Sequence, residues 1–365
     1  MEDDYIMRNT RLIVDLDKFN NNIDKIKEYV GKKTIIPVIK ANGYGTYINK
    51  RIDIINRFEI VGVALVEEAI EIRNLGYKGD VLVLNQPIDD EIDSIIQYNV
   101  SVGVCSCDFL EELKAKNCPV KVHLEIETGM NRTGIDIKDI SKFINLINDS
   151  NLILDGIYSH FSSADFDDNY TQRQISIFKD AVMSLDEYSV KPKYIHISAS
   201  NGIIKYNDLD FVNAVRPGII MYGYDSFKNS HEYIEVEPIC KMVSSIVFIK
   251  NVKKGEAISY SQKYICDEDK IIATIPVGYA DGYRRDFTNK GYVFINGCKA
   301  PVVGSVCMDS IMVDVTGFDA KIGDEVIIFD DINIKLDELA DICDTINYEI
   351  ISNISYRVPR EFKEN

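Results

Sequence analysis

The sequence contains no tryptophan, only four histidines, and no closely spaced set of cysteines and histidines of the kind that binds zinc. Its eight cysteines are scattered, and only Cys105 and Cys107 lie near each other, without a CxxC pair. In a chain of 365 residues this pattern is typical of reduced, mostly buried thiols. We therefore expect neither a metal site nor a disulfide framework.

Positive charge is also scarce. The chain has 41 lysines and arginines against 58 aspartates and glutamates, a net charge of −17, and it offers no basic stripe to the phosphates of a nucleic acid. No apolar run approaches the roughly 20 residues that span a bilayer. The acidic residues 1–4 lack the basic flank and apolar stretch of a signal peptide. These absences predict a cytoplasmic protein that binds neither nucleic acid nor membrane.

Short apolar runs alternate with amphipathic segments through the first two thirds of the chain, as in folds built on parallel strands. The strand-like runs are residues 34–40, 60–65, 80–85, 100–105, 120–127, 152–160, 194–198 and 213–216. Amphipathic segments lie between them, for example 67–75 and 171–185. This order predicts a (β/α)₈ barrel. A doubly wound open sheet is the alternative, although it usually has fewer strands and a glycine-rich first turn.

The pattern changes after Gly223. Residues 237–250, 271–276, 291–295, 301–306 and 310–315 are strand-like and are separated by turn signals such as Lys254-Gly255 and Asn296-Gly297. This predicts a second, mostly antiparallel β domain. We place the barrel domain at residues 1–234 and the β domain at residues 235–365.

Polar residues follow several of the barrel strands at the end where barrel enzymes carry their active sites. The candidates at these strand ends are Lys40, Arg132, His160, Ser200, Arg216, Gly218 and Ile219. Loops after the seventh and eighth strands often hold phosphate, and the Ser200 hydroxyl with the backbone N–H groups at Gly218-Ile219 would suit it. A lysine across the rim can form a Schiff base with a carbonyl compound. The arrangement thus favours a phosphate-bearing carbonyl cofactor.

Seven motifs make the chain resemble the alanine racemase family of fold-type III pyridoxal-phosphate enzymes over nearly its whole length. The motifs are Val38-Ile39-Lys40-Ala41-Asn42-Gly43-Tyr44-Gly45, Thr128-Gly129-Met130-Asn131-Arg132-Thr133-Gly134, Val215-Arg216-Pro217-Gly218-Ile219, Ser259-Tyr260, Pro276-Val277-Gly278-Tyr279-Ala280-Asp281-Gly282-Tyr283, Val306-Cys307-Met308-Asp309 and Ile354-Ser355-Tyr356-Arg357-Val358-Pro359-Arg360. The resemblance implies a barrel, a β domain and an enzyme that interconverts L-alanine and D-alanine, a peptidoglycan precursor.

The resemblance also implies a role for each site residue. Lys40 would carry pyridoxal 5′-phosphate and act as one catalytic base, while Tyr260 from the partner subunit of a homodimer would act on the opposite face. The residues implied to bind the phosphate are Tyr44, Ser200, Gly218, Ile219 and Tyr356. His160 would lie near the cofactor ring, linked to Tyr260, and Arg216 would face the pyridine nitrogen. Arg132 and the backbone N–H of Met308 would bind the carboxylate of a small amino-acid substrate.

Three positions depart from the family pattern. Glu125 stands where the family often has a lysine that becomes carbamylated, Ser305 where it often has arginine, and Ala199 where it has asparagine. The two-residue period of strand 120–127 turns Glu125 into the barrel. We expect its negative charge to orient Arg132 through a charge-assisted hydrogen bond or a bridging water. An interaction of Glu125 with another barrel group is the alternative.

Other functions remain open from the sequence alone. The substrate could be serine or a wider range of amino acids. Non-catalytic PLP-binding relatives consist of the barrel alone, so the β domain with Tyr260, Met308 and Tyr356 argues against that class. Fold-type III decarboxylases place a Cys-Asp pair near the cofactor, whereas Cys307 is followed here by Met308-Asp309. A structural barrel without cofactor would leave the cluster of polar residues at the strand ends unexplained.

Overall fold

The computed structural model describes residues 9–224 and 233–364 of the chain. After strand β1 (Arg11–Asp15), eight strands pair in parallel: β2 (Thr34–Ile35), β3 (Ile60–Val63), β4 (Asp80–Val83), β5 (Ser101–Val104), β6 (Lys121–Glu125), β7 (Ile153–Tyr158), β8 (Tyr194–His196) and β9 (Ala214–Val215). Their order in the sheet is β2-β9-β8-β7-β6-β5-β4-β3. The backbone N–H of Ile39 donates to the carbonyl of Gly62 at 2.9 Å and joins the two edges. The predicted (β/α)₈ barrel is confirmed.

Helices alternate with the strands and bury one apolar face each. They are α1 (Leu16–Val30), α2 (Lys40–Tyr44), α3 (Ile52–Ile55), α4 (Val66–Asn74), α5 (Ile92–Gln97), α6 (Cys107–Ala115), α7 (Ile140–Asn148), α8 (Asp168–Ser184) and α9 (Ser200–Lys205). Helix α1 begins where the Asp15 carboxylate accepts a hydrogen bond from the N–H of Lys18, and it ends at Gly31. Phe19 and Ile23 on its inner face are buried, as the helical spacing of apolar residues requires. Among the described residues, no helix combines the length and apolar character needed to cross a membrane.

The second part of the chain is mostly antiparallel. Its strands are β10 (Cys240–Ser245), β11 (Phe248–Val252), β12 (Ala257–Ile258), β13 (Tyr264–Ile265), β14 (Lys270–Ile275), β15 (Tyr292–Ile295), β16 (Cys298–Pro301), β17 (Ile311–Asp314), β18 (Glu325–Phe329) and β19 (Arg360–Lys363), with helices α10 (Leu336–Ile342) and α11 (Asn347–Ser352). Six strands form a sheet in the order β16-β15-β18-β10-β1-β19, and three form a sheet β11-β14-β17. The predicted antiparallel domain is confirmed, and it includes β1 from the start of the chain.

All eight barrel strands end earlier than the sequence predicts, and two of the differences involve the Arg216 side chain. The predicted strand 152–160 stops at Tyr158, and 194–198 stops at His196. The carbonyls of Ser159 and Ile197 accept hydrogen bonds from the Arg216 side chain at 2.8 and 3.1 Å instead of continuing the ladder. Hydrophobicity predicts the extended backbone there. It does not reveal that a side chain has replaced the neighbouring strand as hydrogen-bond donor.

The backbone of Gly45, after the first barrel strand, lies very close to the backbone of α11 in the β domain. A Cβ atom on Gly45 would lie 2.4 Å from the carbonyl oxygen of Ile351, and φ is +81°. Gly31 also has a positive φ, +65°, but a Cβ there would meet no atom within 4 Å. The two positions therefore separate the cost of a left-handed backbone from the cost of a steric clash.

We expect Gly31→Ala to lower the free energy of unfolding by about 1 kcal/mol, the cost of placing alanine in the left-handed region. Gly45→Ala should lose a further 1–3 kcal/mol or so, because the backbone of α11 has to move away. Urea denaturation of both variants beside the wild type measures the two values. Equal losses in both variants would contradict the close contact between Gly45 and Ile351.

Candidate active site

A cavity of about 370 Å³ opens at the carboxyl ends of the barrel strands. Seven of the residues predicted from the sequence line it: Lys40, Tyr44, Arg132, His160, Ser200, Arg216 and Gly218. The predicted residue Ile219 follows Gly218 and begins a short 3₁₀ helix that ends at Tyr222. The strand ends thus bring together residues that lie far apart in the sequence.

Lys40 stands at the start of α2, whose backbone is left-handed. The φ angles of Ala41, Asn42 and Tyr44 are 52°, 54° and 54°. Each non-glycine residue in this conformation costs about 1–2 kcal/mol. Backbone strain of this kind persists where surrounding contacts fix it, and it clusters at functional sites. The sequence predicts that Lys40 ends a strand, whereas the structure starts a strained turn at that residue.

Contacts from two sides hold the Lys40 turn in place. The backbone N–H of Ala41 donates to the Glu68 carboxylate at 2.6 Å. Arg360 donates through Nε to the carbonyl of Gly45 at 2.9 Å, and its Nη atoms donate to carbonyls of its own segment, including Ser355 at 2.6 Å. Arg360 belongs to the last motif of the sequence. That motif therefore supports the lysine turn from the β domain.

The environment of Lys40 favours the neutral amine. Burial lowers the pKa of its ammonium group, and the positive charges of Arg132 and Arg216 lower it further, while Glu68 opposes them. A neutral amine is the form that attacks a carbonyl carbon and accepts a proton. The lowered pKa raises the fraction of Lys40 that is in this form at a given pH.

Ser200, Gly218 and Tyr44 form a cradle at one end of the cavity. Ser200 Oγ accepts hydrogen bonds from the backbone N–H groups of Gly218 at 3.2 Å and Ile220 at 3.3 Å. A Cβ atom on Gly218 would lie 2.4 Å from the Tyr44 hydroxyl oxygen, so this position has room for glycine alone. The hydroxyl groups of Ser200 and Tyr44 and the N–H groups at the start of the 3₁₀ helix together suit an anion.

Arg216 is buried in the barrel and makes five hydrogen bonds. Nη1 contacts His196 Nδ1 at 2.7 Å and the carbonyl of His196 at 3.1 Å. Nη2 contacts His160 Nδ1 at 3.1 Å and donates to the carbonyls of Ser159 and Ile197. The guanidinium group also lies 5.4 Å from the ring centre of Tyr158, which adds a cation–π contact.

Arg216 and His160 differ in charge at neutral pH. Burial lowers the pKa of Arg216 to about 10, so its guanidinium stays protonated at neutral pH. Burial lowers the pKa of His160 to about 3, and the positive charges of Arg216, Arg132 and Lys40 contribute to that shift. His160 is therefore a neutral imidazole. Since Arg216 can only donate, His160 Nδ1 accepts and Nε2 carries the proton.

Four predicted residues do not line the cavity that contains Lys40: Ile219, Tyr260, Met308 and Tyr356. Tyr260 and Met308 line a second cavity of about 580 Å³ in the β domain. Tyr260 is 70% exposed, Met308 51% and Tyr356 83%. Tyr348 of α11 reaches the first cavity instead, with its ring centre 6.2 Å from that of Tyr44. Within one chain, the two predicted bases therefore belong to different cavities.

Ser305 and Ala199, two of the departures from the family pattern, have structural roles. Ser305 Oγ donates to the carbonyl of Tyr260 at 3.1 Å, and the Ser305 carbonyl accepts from Ser259 Oγ at 2.7 Å. Ser305 thus fixes the backbone on both sides of the Tyr260 residue. Ala199 precedes α9, and its carbonyl accepts the first helical hydrogen bond, from Ile203 at 2.8 Å.

Glu125, the third departure, is buried inside the barrel as predicted. Burial raises the pKa of its carboxyl group, opposed by hydrogen bonding to Thr133 and by the positive charge of Arg132. Within the described residues, Glu125 and Arg132 form no ion pair. The carboxylate of Glu127 instead accepts hydrogen bonds from the backbone N–H groups of Gly129 and Asn131. Glu127 therefore holds the loop that carries Arg132.

Sequence reasoning missed the histidines beneath Arg216. His123 on β6 and His196 on β8 are fully buried, and His123 Nδ1 lies 3.0 Å from His196 Nε2. Both stand at inward positions of their strands. A search for polar residues on the inner faces of successive strands would have found them.

Two family models match the chain. "Alanine racemase, N-terminal domain" matches residues 14–226, and "Alanine racemase, C-terminal domain" matches residues 239–362. Curated relatives include alanine racemase of Clostridium tetani, 38% identical over 96% of this chain and 94% of the relative. Alanine racemase 1 of Clostridium acetobutylicum is 36% identical over 96% and 95%.

Solved structures agree with these matches. The alanine racemase of Clostridium difficile 630 superposes with a TM-score of 0.92 at 32% identity, over 98% of this chain and 96% of that one. The Bacillus anthracis alanine racemase with bound L-Ala-P gives 0.92 at 32% identity, over 98% and 96%. The fold and the site define an isomerase that acts on amino acids. The chain belongs to the alanine racemase family.

The contacts of Glu125 and Glu127 predict different effects on substrate binding. Glu127→Gln retains one acceptor oxygen but loses the second, so the Arg132 loop should loosen and the KM for alanine should rise by about 10-fold. Glu125→Gln keeps hydrogen bonding to Thr133, so KM should change less. Steady-state kinetics of both variants measures this, with circular dichroism as the control for folding. A larger KM effect in Glu125→Gln would restore the direct orientation of Arg132 by Glu125.

Proposed function

We propose that the protein is a PLP-dependent racemase that interconverts L-alanine and D-alanine with Lys40 and Tyr260 as its two bases. One observation carries the proposal: an amine with a lowered pKa, Lys40, shares a cavity with the anion cradle at Ser200 and Gly218. A cofactor with a carbonyl group at one end and a phosphate at the other fits such a cavity.

The residues present fit pyridoxal 5′-phosphate. The cradle at Gly218, where a Cβ would reach the Tyr44 hydroxyl, suits its phosphate, with Tyr356 and the N–H of Ile219 as further ligands. When bound, the cofactor supplies a carbonyl that links to an amine and a conjugated ring that withdraws the electron pair of the broken Cα–H bond. Arg216 keeps its protons at neutral pH and would leave the ring nitrogen unprotonated. A weaker electron sink disfavours transamination, while brief proton removal still proceeds.

The protein's own groups move the proton and hold the substrate. Lys40 Nζ takes or returns the α-proton on one face of the substrate, and Tyr260 Oη does so on the other. Arg132 and the backbone N–H of Met308 bind the substrate carboxylate. The Nε2–H of neutral His160 would donate to Tyr260 Oη and hold that oxygen in place.

Completing the site requires a second subunit. Lys40 and Tyr260 line different cavities of one chain, and Tyr260 is largely exposed at the second. A homodimer in which Tyr260 and Met308 of each subunit reach the partner's barrel would join the two halves. The printed names of the relatives favour alanine as substrate. Serine is the second candidate.

The first test uses Lys40. Purified protein reconstituted with PLP should be yellow, and borohydride reduction followed by peptide mapping should place the label on Lys40. The same preparation incubated with L-alanine should yield D-alanine on chiral chromatography, and Lys40→Ala should yield none. A label on another lysine would remove Lys40 from its role, and faster conversion of L-serine would change the assigned substrate.

The second test asks whether Tyr260 acts across subunits. Tyr260→Phe should retain the cofactor but lose about 10²–10⁴-fold in turnover, the usual value of a positioned proton-transfer group. Mixing Lys40→Ala chains with Tyr260→Phe chains should restore activity, because every hybrid dimer contains one intact site and one site that lacks both bases. Mass spectrometry confirms that hybrids form. Hybrids without activity would show that both bases come from one chain.

A further inference from the structure

Four side chains inside the barrel, beginning with Arg216, form a connected series. Arg216 Nη1 lies 2.7 Å from His196 Nδ1, and His196 Nε2 lies 3.0 Å from His123 Nδ1. His123 Nε2 is 3.7 Å from Asp155 Oδ2. His123 lies on β6, Asp155 on β7 and His196 on β8, and Arg216 follows β9, so each link crosses from one strand to another. This series of side chains leads away from the cavity that contains Lys40.

The chemistry of arginine fixes the direction of every link. Arg216 has donors alone, so His196 Nδ1 has to accept. His196 is then protonated at Nε2 and donates to His123 Nδ1, which leaves the His123 proton on Nε2, facing Asp155. One donor at the top thus determines the tautomer of both rings.

Burial and charge agree with this direction. His123 and His196 are fully buried, and burial lowers the pKa of both rings. Burial opposes ionisation of Asp155, but the nearby His123 ring and the positive charges of Lys121 and Lys193 hold the pKa of its carboxyl group below the ordinary value. Two neutral imidazoles therefore separate a buried cation from a carboxylate.

Packing leaves the rings little freedom. A Cβ atom on Gly156 of β7 would lie 2.1 Å from His123 Nδ1, so the absence of a side chain at this position makes space for the ring. The ring of His196 stacks on Tyr158, with centres 5.1 Å apart and an interplanar angle of 2°. The rotamers of both histidines are thus set by the barrel wall.

We infer that His196, His123 and Asp155 are positioning residues that fix the plane of the Arg216 guanidinium, so that its remaining donors serve His160 and the cofactor ring. The role of Arg216 toward the cofactor ring rests on the proposed function. The tautomers of His123 and His196 do not depend on that function.

The first experiment therefore needs neither cofactor nor activity. In protein without cofactor and with ¹⁵N-labelled histidine, long-range ¹H–¹⁵N spectra should show His123 and His196 as neutral Nε2–H tautomers. Neither ring should titrate between about pH 5 and pH 8, where a free imidazole does. The chain has four histidines, so single substitutions assign each signal. An Nδ1–H tautomer or a charged ring at His123 or His196 would overturn the inference.

The second experiment compares His123→Leu with His123→Gln in the holoenzyme. Glutamine can accept from His196 and donate toward Asp155, whereas leucine can do neither. We expect His123→Leu to lower kcat by about 10-fold with little change in KM and to change the absorption spectrum of the bound cofactor, and His123→Gln to restore most of both. Asp155→Asn keeps an acceptor oxygen but removes the charge, so it should lower kcat less than His123→Leu does. It provides the test if the leucine variant does not fold.

The outcomes separate the two proposals. Wild-type kcat and spectrum in His123→Leu and in Asp155→Asn would show a purely structural role and overturn the inference, while racemase activity still stands. Absence of racemase activity in the wild type, together with the expected tautomers, would instead contradict the proposed function. Asp93→Asn is the control for loss of a carboxylate outside this series of residues, since Asp93 is exposed and pairs with Lys116 at 2.6 Å.

Discussion

The arrangement of the site depends on one buried cation. Arg216 sits inside the barrel, where an isolated charge costs several kcal/mol. Three backbone carbonyls and two imidazoles share that charge. Those carbonyls come from the ends of β7 and β8, so the arginine also replaces the last rungs of the sheet. The same interaction keeps His160 neutral and sets the protonated nitrogen that faces the cavity.

A second constraint acts from the β domain. The Lys40 turn is strained, and Arg360 and the close contact of Gly45 with Ile351 hold it from outside the barrel. Strain at a reactive residue is retained when neighbouring structure determines it. The β domain therefore contributes to the geometry of the lysine even though that residue lies in the barrel. The last and the first of the seven sequence motifs are therefore in direct contact in the structure.

The sequence predicts the fold well because its signals are local. Alternating apolar runs and helical spacing locate the barrel, and motifs at strand ends identify seven residues that share a cavity. The sequence does not predict the contacts of Glu125. Its inward direction follows from the two-residue period, but the partner depends on which loop residue lies within reach. Likewise, the left-handed backbone at Ala41 has no signal in residue type, although Asn42 and Gly43 beside it are types that adopt this conformation. The interaction of His123 with His196 requires knowledge of strand register across two neighbouring pairs.

The position of β1 has a consequence for how the chain folds. In the six-stranded sheet it lies between β10 and β19, pairing Leu12 with Met242 and with Arg360. A strand that precedes the barrel in the sequence thus pairs with one that lies about 350 residues further along the chain. Long-range pairings of this kind form late, because closure of a long loop is entropically costly. The barrel strands have all their partners once residue 216 is available, whereas the sheet of the β domain closes only when residues 360–363 are available. A chain truncated before β19 would leave one edge of β1 exposed, and an exposed strand edge is a site of aggregation.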